Sequence, residues 1–228
     1  MSRSVEWVID ELKELSNPDL IAGIGRFGIP TENVIGISSR NLRKLAKVLG
    51  INHDLATALW KSEIHEAKLL ATYVVDPQKL TIEQAEKWLS DIYSWDLCDS
   101  FCRALADTSY AYDYAPIWAS RKEEFVKRAG FATMVNLAIH DKKAPDQKME
   151  AFFPVIIREA WDERNFVKKG VNWALRQIGK RNLSLHKKAI DVALEIKNQG
   201  TSSAKWIAND ALRELTNLAV IGRLNKKS

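Results

Sequence analysis

The sequence predicts an all-α protein whose helices form repeats, stacked into a curved solenoid with a concave basic face. Three observations lead there. Apolar residues recur with a helical period, as Val5, Val8, Ile9, Leu12 and Leu15 do at i, i+3, i+4 and i+7. Alternating strand-like runs bounded by turn residues are scarce. A tetrapeptide pattern, Phe125-Val126-Lys127-Arg128, returns downstream as Phe166-Val167-Lys168-Lys169.

Helix boundaries are signed along the chain. Asn17 before Pro18 reads as a start, because a side-chain acceptor followed by proline suits the first turn, whose N–H groups lack partners. Gly50 ends the segment of Leu42, Leu45, Ala46 and Leu49. Thr81, three residues before Gln84, reads as a capping box, and Pro116 as a first-turn proline. Pro154 interrupts the apolar pattern of Met149, Phe152, Phe153, Ile156, Ile157, Ala160 and Trp161, so that segment is expected to kink or divide just before the proline. Ser184 and Ser203 are expected as caps, and Gly200 as the stop of a helix holding Leu185, Ala189, Ile190, Ala193 and Ile196.

At 228 residues and 46% hydrophobic, the chain can bury a substantial core, read as one continuous domain over 1–228. Lys and Arg number 34 against 29 Asp and Glu, a formal charge of +5 that favours an anionic partner. Cys98 and Cys102 lie one helical turn apart, a geometry unsuited to a disulfide, so thiols in a reducing compartment are expected. No signal-peptide layout or membrane span is expected, and the chain reads as intracellular. His53, His65, His140 and His186 form no His-x-x-x-His pair, and no Walker-type loop occurs, so neither metal nor nucleotide cofactor is expected.

The returning tetrapeptide falls at a spacing within the roughly 40–47 residues of HEAT and armadillo units, so the array is expected to be HEAT-like. A weaker echo links Ala174-Leu175-Arg176 to Ala211-Leu212-Arg213. By this alignment Arg128 and Lys169 are repeat equivalents, and Trp173 lies one turn after Lys169 on the same helical side. Trp95 and Asp99, at i and i+4, should project together. Arg40, Arg43, Lys44 and Lys47 form one basic stripe; Lys168, Lys169, Arg176, Lys180 and Arg181 form another, each also readable as a solvated helix face. Trp60, Trp88, Trp161 and Trp206 are expected in the core. Taken singly, Trp95 and Trp173 also read as core, Asp96 or Asp99 as a helix-start charge, and Arg128 as a surface ion pair.

Taken together, the segments Gly36 to Leu45, Trp95-Asp96-Leu97-Cys98-Asp99, Lys127-Arg128-Ala129, and Phe166 to Arg176 resemble the AlkD-type DNA alkylation repair family, and the likeness spans most of the chain. The resemblance implies a HEAT-like glycosylase that excises positively charged alkylated purines from duplex DNA, with the damaged nucleotide largely stacked rather than flipped. It implies a cleft of Trp95, Asp99, Arg128 and Trp173, with Arg128, Lys127, Lys168, Lys169, Arg176, Arg43 and Lys44 as DNA contacts. Double-stranded DNA with alkylated bases is the implied partner, no cofactor is needed, and a monomer in the cytoplasm, on the nucleoid when bound, is expected. Two alternatives stand beside it: a non-catalytic binder of distorted or branched DNA, and a helical-repeat scaffold for protein partners.

Overall fold

A computed structural model describes residues 3–226, and the regular elements among them are helical. In chain order they are α1 (Val5–Glu14), a 3-10 turn (Pro18–Leu20), α2 (Ile21–Gly25), α3 (Ser39–Leu49), α4 (His53–Trp60), α5 (His65–Val74), α6 (Ile82–Ser90) and α7 (Trp95–Leu105). There follow α8 (Ala111–Ala119), α9 (Glu124–His140), α10 (Asp146–Glu150), α11 (Phe153–Arg158), α12 (Asn165–Gly179), α13 (Leu183–Lys197), α14 (Ser202–Leu215) and α15 (Leu218–Asn225). Two compact units divide the chain, the first ending at Ser109 and the second beginning at Tyr110.

In the first unit α4 packs on α5, and α5 lies against α3 and α7. The core between α4, α6 and α7 is aromatic: Trp60 and Trp88 stack with ring centroids 4.2 Å apart, and Phe101 tilts against both at 5.7 and 5.2 Å. Both tryptophans are buried, as the sequence reading expects. Three side-chain bonds join residues 31 positions apart, namely His53 to Gln84, Trp60 to Asp91 and His65 to Asp96. A constant separation of this kind marks stacked repeats, because each unit meets its successor at equivalent positions.

In the second unit the separation is 38: Arg128 to the Phe166 carbonyl, Asn172 to Asp210, and Arg176 to Glu214. The long helix α9 is enclosed, with Val126 through Ala138 all buried between α8 and α12. Its Gly130 is what lets α8 approach. A Cβ there would sit 2.2 Å from the Ala119 nitrogen and 2.6 Å from the Ala115 oxygen, both backbone atoms.

Several boundaries agree with expectation. Thr81 accepts from the Gln84 N–H at 3.2 Å, Gly50 caps α3 at φ 66°, and Pro154 is the second residue of α11, dividing it from α10. Others differ for local reasons. The Gln84 side chain does not complete a capping box among the bonds seen, because His53 and Thr57 engage it. Pro116 lies inside α8 rather than at its start. Ser184 and Ser203 each fall one residue inside helices begun by Leu183 and Ser202, whose caps are Asn182 and Thr201. Ser203 instead donates to the Asp162 carbonyl at 2.8 Å. Gly200, at φ 80°, lies two residues beyond the Asn198 cap of α13.

Two tryptophans expected in the core are exposed, Trp161 by 54% and Trp206 by 39%. Trp161 was placed by extending a helical period, but α11 ends at Arg158, and periodicity has no meaning beyond a helix end. The fully buried tryptophan of this unit is Trp118.

Candidate functional site

The start of α7 is fixed by a buried polar cluster. His65, 2% exposed on α5, meets the Tyr93 hydroxyl at 2.9 Å through Nδ1 and Asp96 Oδ2 at 2.8 Å through Nε2. Burial works to raise the Asp96 carboxyl, but the hydrogen bond and charge of His65, with Ser94 and the Leu97 N–H, hold it below the usual range. Burial, reinforced by Asp96, Glu66 and Glu32, pushes Tyr93 up to about 12. Of the two α7 carboxylates, Asp96 therefore anchors the helix to α5 through His65.

Next to His65, the buried Glu66 accepts from the N–H groups of Ile35, Gly36 and Ile37 at 3.1, 2.8 and 3.1 Å. This carboxylate shapes the loop that opens the Gly36 to Leu45 segment. Gly36 has φ 81°, and a Cβ on it would lie 2.1 Å from the Asn17 carbonyl oxygen.

Trp95 is the first residue of α7, half-buried, and its Nε1 donates to the Phe27 carbonyl at 2.9 Å, tying the indole to the turn after α2. Asp99 is half-buried one turn later, so the two share a stripe as expected, followed by exposed Arg103 paired with Asp107 at 2.8 Å. Arg43 and Lys44 are exposed on α3. A groove of about 1170 Å³ on α4 and α6, lined by Trp60, Trp88, Lys68 and Asp91 among others, includes none of the predicted site residues.

In the second unit the outward stripe of α12 carries exposed Lys169, half-buried Trp173 one turn on, then Gln177 and Lys180. With its amide oxygen turned toward donors, Gln177 accepts from Trp173 Nε1 at 3.3 Å and from Lys180 Nζ at 3.1 Å. Arg176 is bonded to Glu214 and lies 3.5 Å from Asp210, so two carboxylates offset its charge. Lys168 holds its ammonium 5.6 Å from the Trp206 ring.

Arg128 is only 6% exposed and donates through Nη1 to the Phe166 carbonyl at 2.8 Å, tying α9 to the start of α12. Phe125 and Phe166, the residues that open the recurring tetrapeptides, touch with centroids 5.5 Å apart. Lys127 departs from the DNA-contact expectation. It is 4% exposed, with its ammonium 2.8 Å from Glu159 and 3.1 Å from Asp162, committed to interior carboxylates rather than open to a phosphate. Burial works to raise Asp162, yet hydrogen bonds from Arg164 and Lys127 hold it at about 2.

Sequence reasoning missed His65, Glu66 and Tyr93, which position α7 and the loop before α3. The adjacency of a histidine and a glutamate at a helix start was their only signal.

Among the described residues, no group of three or more His, Cys, Asp or Glu is placed to hold a metal, and no helix is long and apolar enough to cross a membrane. Cys98 and Cys102 are buried thiols.

The architecture defines a HEAT-like helical-repeat protein. A solved structure described as belonging to a new family related to the HEAT-like repeat DNA glycosylases, with affinity for branched DNA structures, superposes with a TM-score of 0.77. It is 20% identical, and the match covers 93% of this chain and 95% of that one. Residues 8–215 match the family described as DNA alkylation repair enzyme, and the chain belongs to that family. Two uncharacterised relatives are Lin0241 of Listeria innocua, 26% identical over 86% of this chain and 89% of its own length, and Lmo0209 of Listeria monocytogenes, 24% identical over 82% and 83%.

Proposed function

We propose that the protein is a DNA glycosylase that hydrolyses the N-glycosidic bond of positively charged alkylated purines in duplex DNA, without flipping the base. The observation that carries this reading is the pairing on α7 of a half-buried Asp99 with Trp95 one turn before it, on a face the helix does not bury.

The chemistry needs little more. Alkylation of a ring nitrogen places a positive charge on the base, so the leaving group departs without being protonated. The barrier then lies in forming an electron-poor sugar, which a fixed carboxylate stabilises by electrostatic complementarity while accepting a proton from the attacking water. Asp99 takes that role. An indole face such as that of Trp95 stabilises a nearby cation by about 0.5–2 kcal/mol, depending on desolvation. Arg128, buried against the Phe166 carbonyl, holds the start of α12 in place rather than meeting a phosphate itself, and Lys168, Lys169, Arg43 and Lys44 supply phosphate contacts that fix register without reading sequence. Arg176 contributes less, because two carboxylates already engage it.

Duplex DNA carrying a methylated purine is the test. Wild-type protein should release modified base and leave an abasic site, while Asp99→Asn should retain duplex binding and lose excision by on the order of a hundredfold or more. Equal release by both proteins removes Asp99 from the mechanism. The second reading, a non-catalytic binder of branched DNA, is favoured by the description of the structural neighbour. Tight, salt-sensitive binding to a four-way junction with no base release would establish it.

A further inference from the structure

We infer that Trp206 is a stacking platform for an unpaired or extrahelical base, set beside Lys168 in the second unit. The inference rests on the DNA reading above and assigns a residue that it leaves unused.

Packing and exposure together single out Trp206. The helices α9, α12 and α14 pack successively, α9 on α12 and α12 on α14. The side-chain bonds between α12 and α14 run from each residue to one 38 further on, Asn172 to Asp210 and Arg176 to Glu214. By the same offset Lys168 meets Trp206, and its ammonium indeed lies 5.6 Å from the ring.

Trp206 is 39% exposed, while its helix buries Ser203, Ala204, Ile207, Ala208, Ala211 and Leu215 on the other side. A substantial part of the indole therefore stays outside the core. A large, flat, partly exposed ring with Lys168 beside it and exposed Lys205 next to it in the chain has the composition of a single-strand binding site: a π-face for a base and cations for the phosphates near it. A base inside an intact duplex has both faces covered by its neighbours, so the platform selects one that has left the stack.

The test compares Trp206→Leu, which keeps apolar bulk without a π-face, with Trp206→Phe, which keeps a smaller one. Each is titrated by fluorescence anisotropy against an intact duplex and the same duplex carrying a single-base bulge, with thermal melts confirming that both variants fold. Leucine should weaken binding to the bulged duplex by about tenfold and leave the intact duplex unchanged, and phenylalanine should recover most of the loss. Leucine that binds the bulged duplex like wild type, or weakens both duplexes equally, overturns the assignment while leaving the DNA reading intact. Wild-type protein that binds neither duplex overturns that reading and this inference with it.

Discussion

Lysine 127 and Lys169 are both basic and both near the start of a packed helix, yet their surroundings give them opposite roles. The Lys127 ammonium sits 4% exposed between Glu159 and Asp162, whereas Lys169 stands in solvent. A buried ion pair adds little net stability, but removing one member strands the other charge away from water, which costs about 3–5 kcal/mol. Lys127→Ala should therefore lower stability by that order in urea unfolding and leave DNA affinity of the folded protein unchanged. A variant that unfolds normally but binds DNA weakly would return Lys127 to phosphate recognition. The sequence did not separate the two lysines, because the partners of Lys127 lie more than thirty positions away.

At the level of elements, the crossing of α8 and α9 depends on the absence of one side chain. Gly130 admits the Ala115 and Ala119 backbone at distances no Cβ tolerates, and backbone, unlike a flexible side chain, cannot rotate aside. Gly130→Ala should cost at least about 3 kcal/mol, at or beyond the usual upper range for overpacking, although alanine is the better helix former. A melting temperature equal to wild type would mean that the helices separate without penalty. Helix existence was legible in the apolar periods, and the repeat in Phe125 and Phe166. Cap positions shifted by two residues at Ser184 and Ser203 because asparagine and threonine just upstream, at Asn182 and Thr201, take the same role.

For the whole molecule, acid is the informative perturbant. Asp162 is held at about 2, below the ordinary aspartate value near 3.9. Its ionised form is thus favoured by folding, and the stability it contributes is complete above about pH 4 and lost as pH falls through about 2. The stability difference between wild type and Asp162→Asn, followed by urea unfolding at successive pH values, should be largest above about pH 4 and shrink steadily as pH falls toward and through about 2. A difference that persists unchanged to pH 2 would place the effect of the substitution outside this ionisation.

The sequence by itself determined the helical class, the repeat, and the pairing of Trp95 with Asp99, since all three are periodicities along one chain and helical geometry converts them directly into shared faces. It also carried the family likeness, through motifs contiguous in the chain. Only the tertiary structure decided which of two neighbouring carboxylates anchors α7, which lysine is buried, and that Trp206 faces outward while Trp118 fills the core. Those outcomes depend on burial and on partners from distant segments, and neither quantity is a property of a residue and its immediate neighbours.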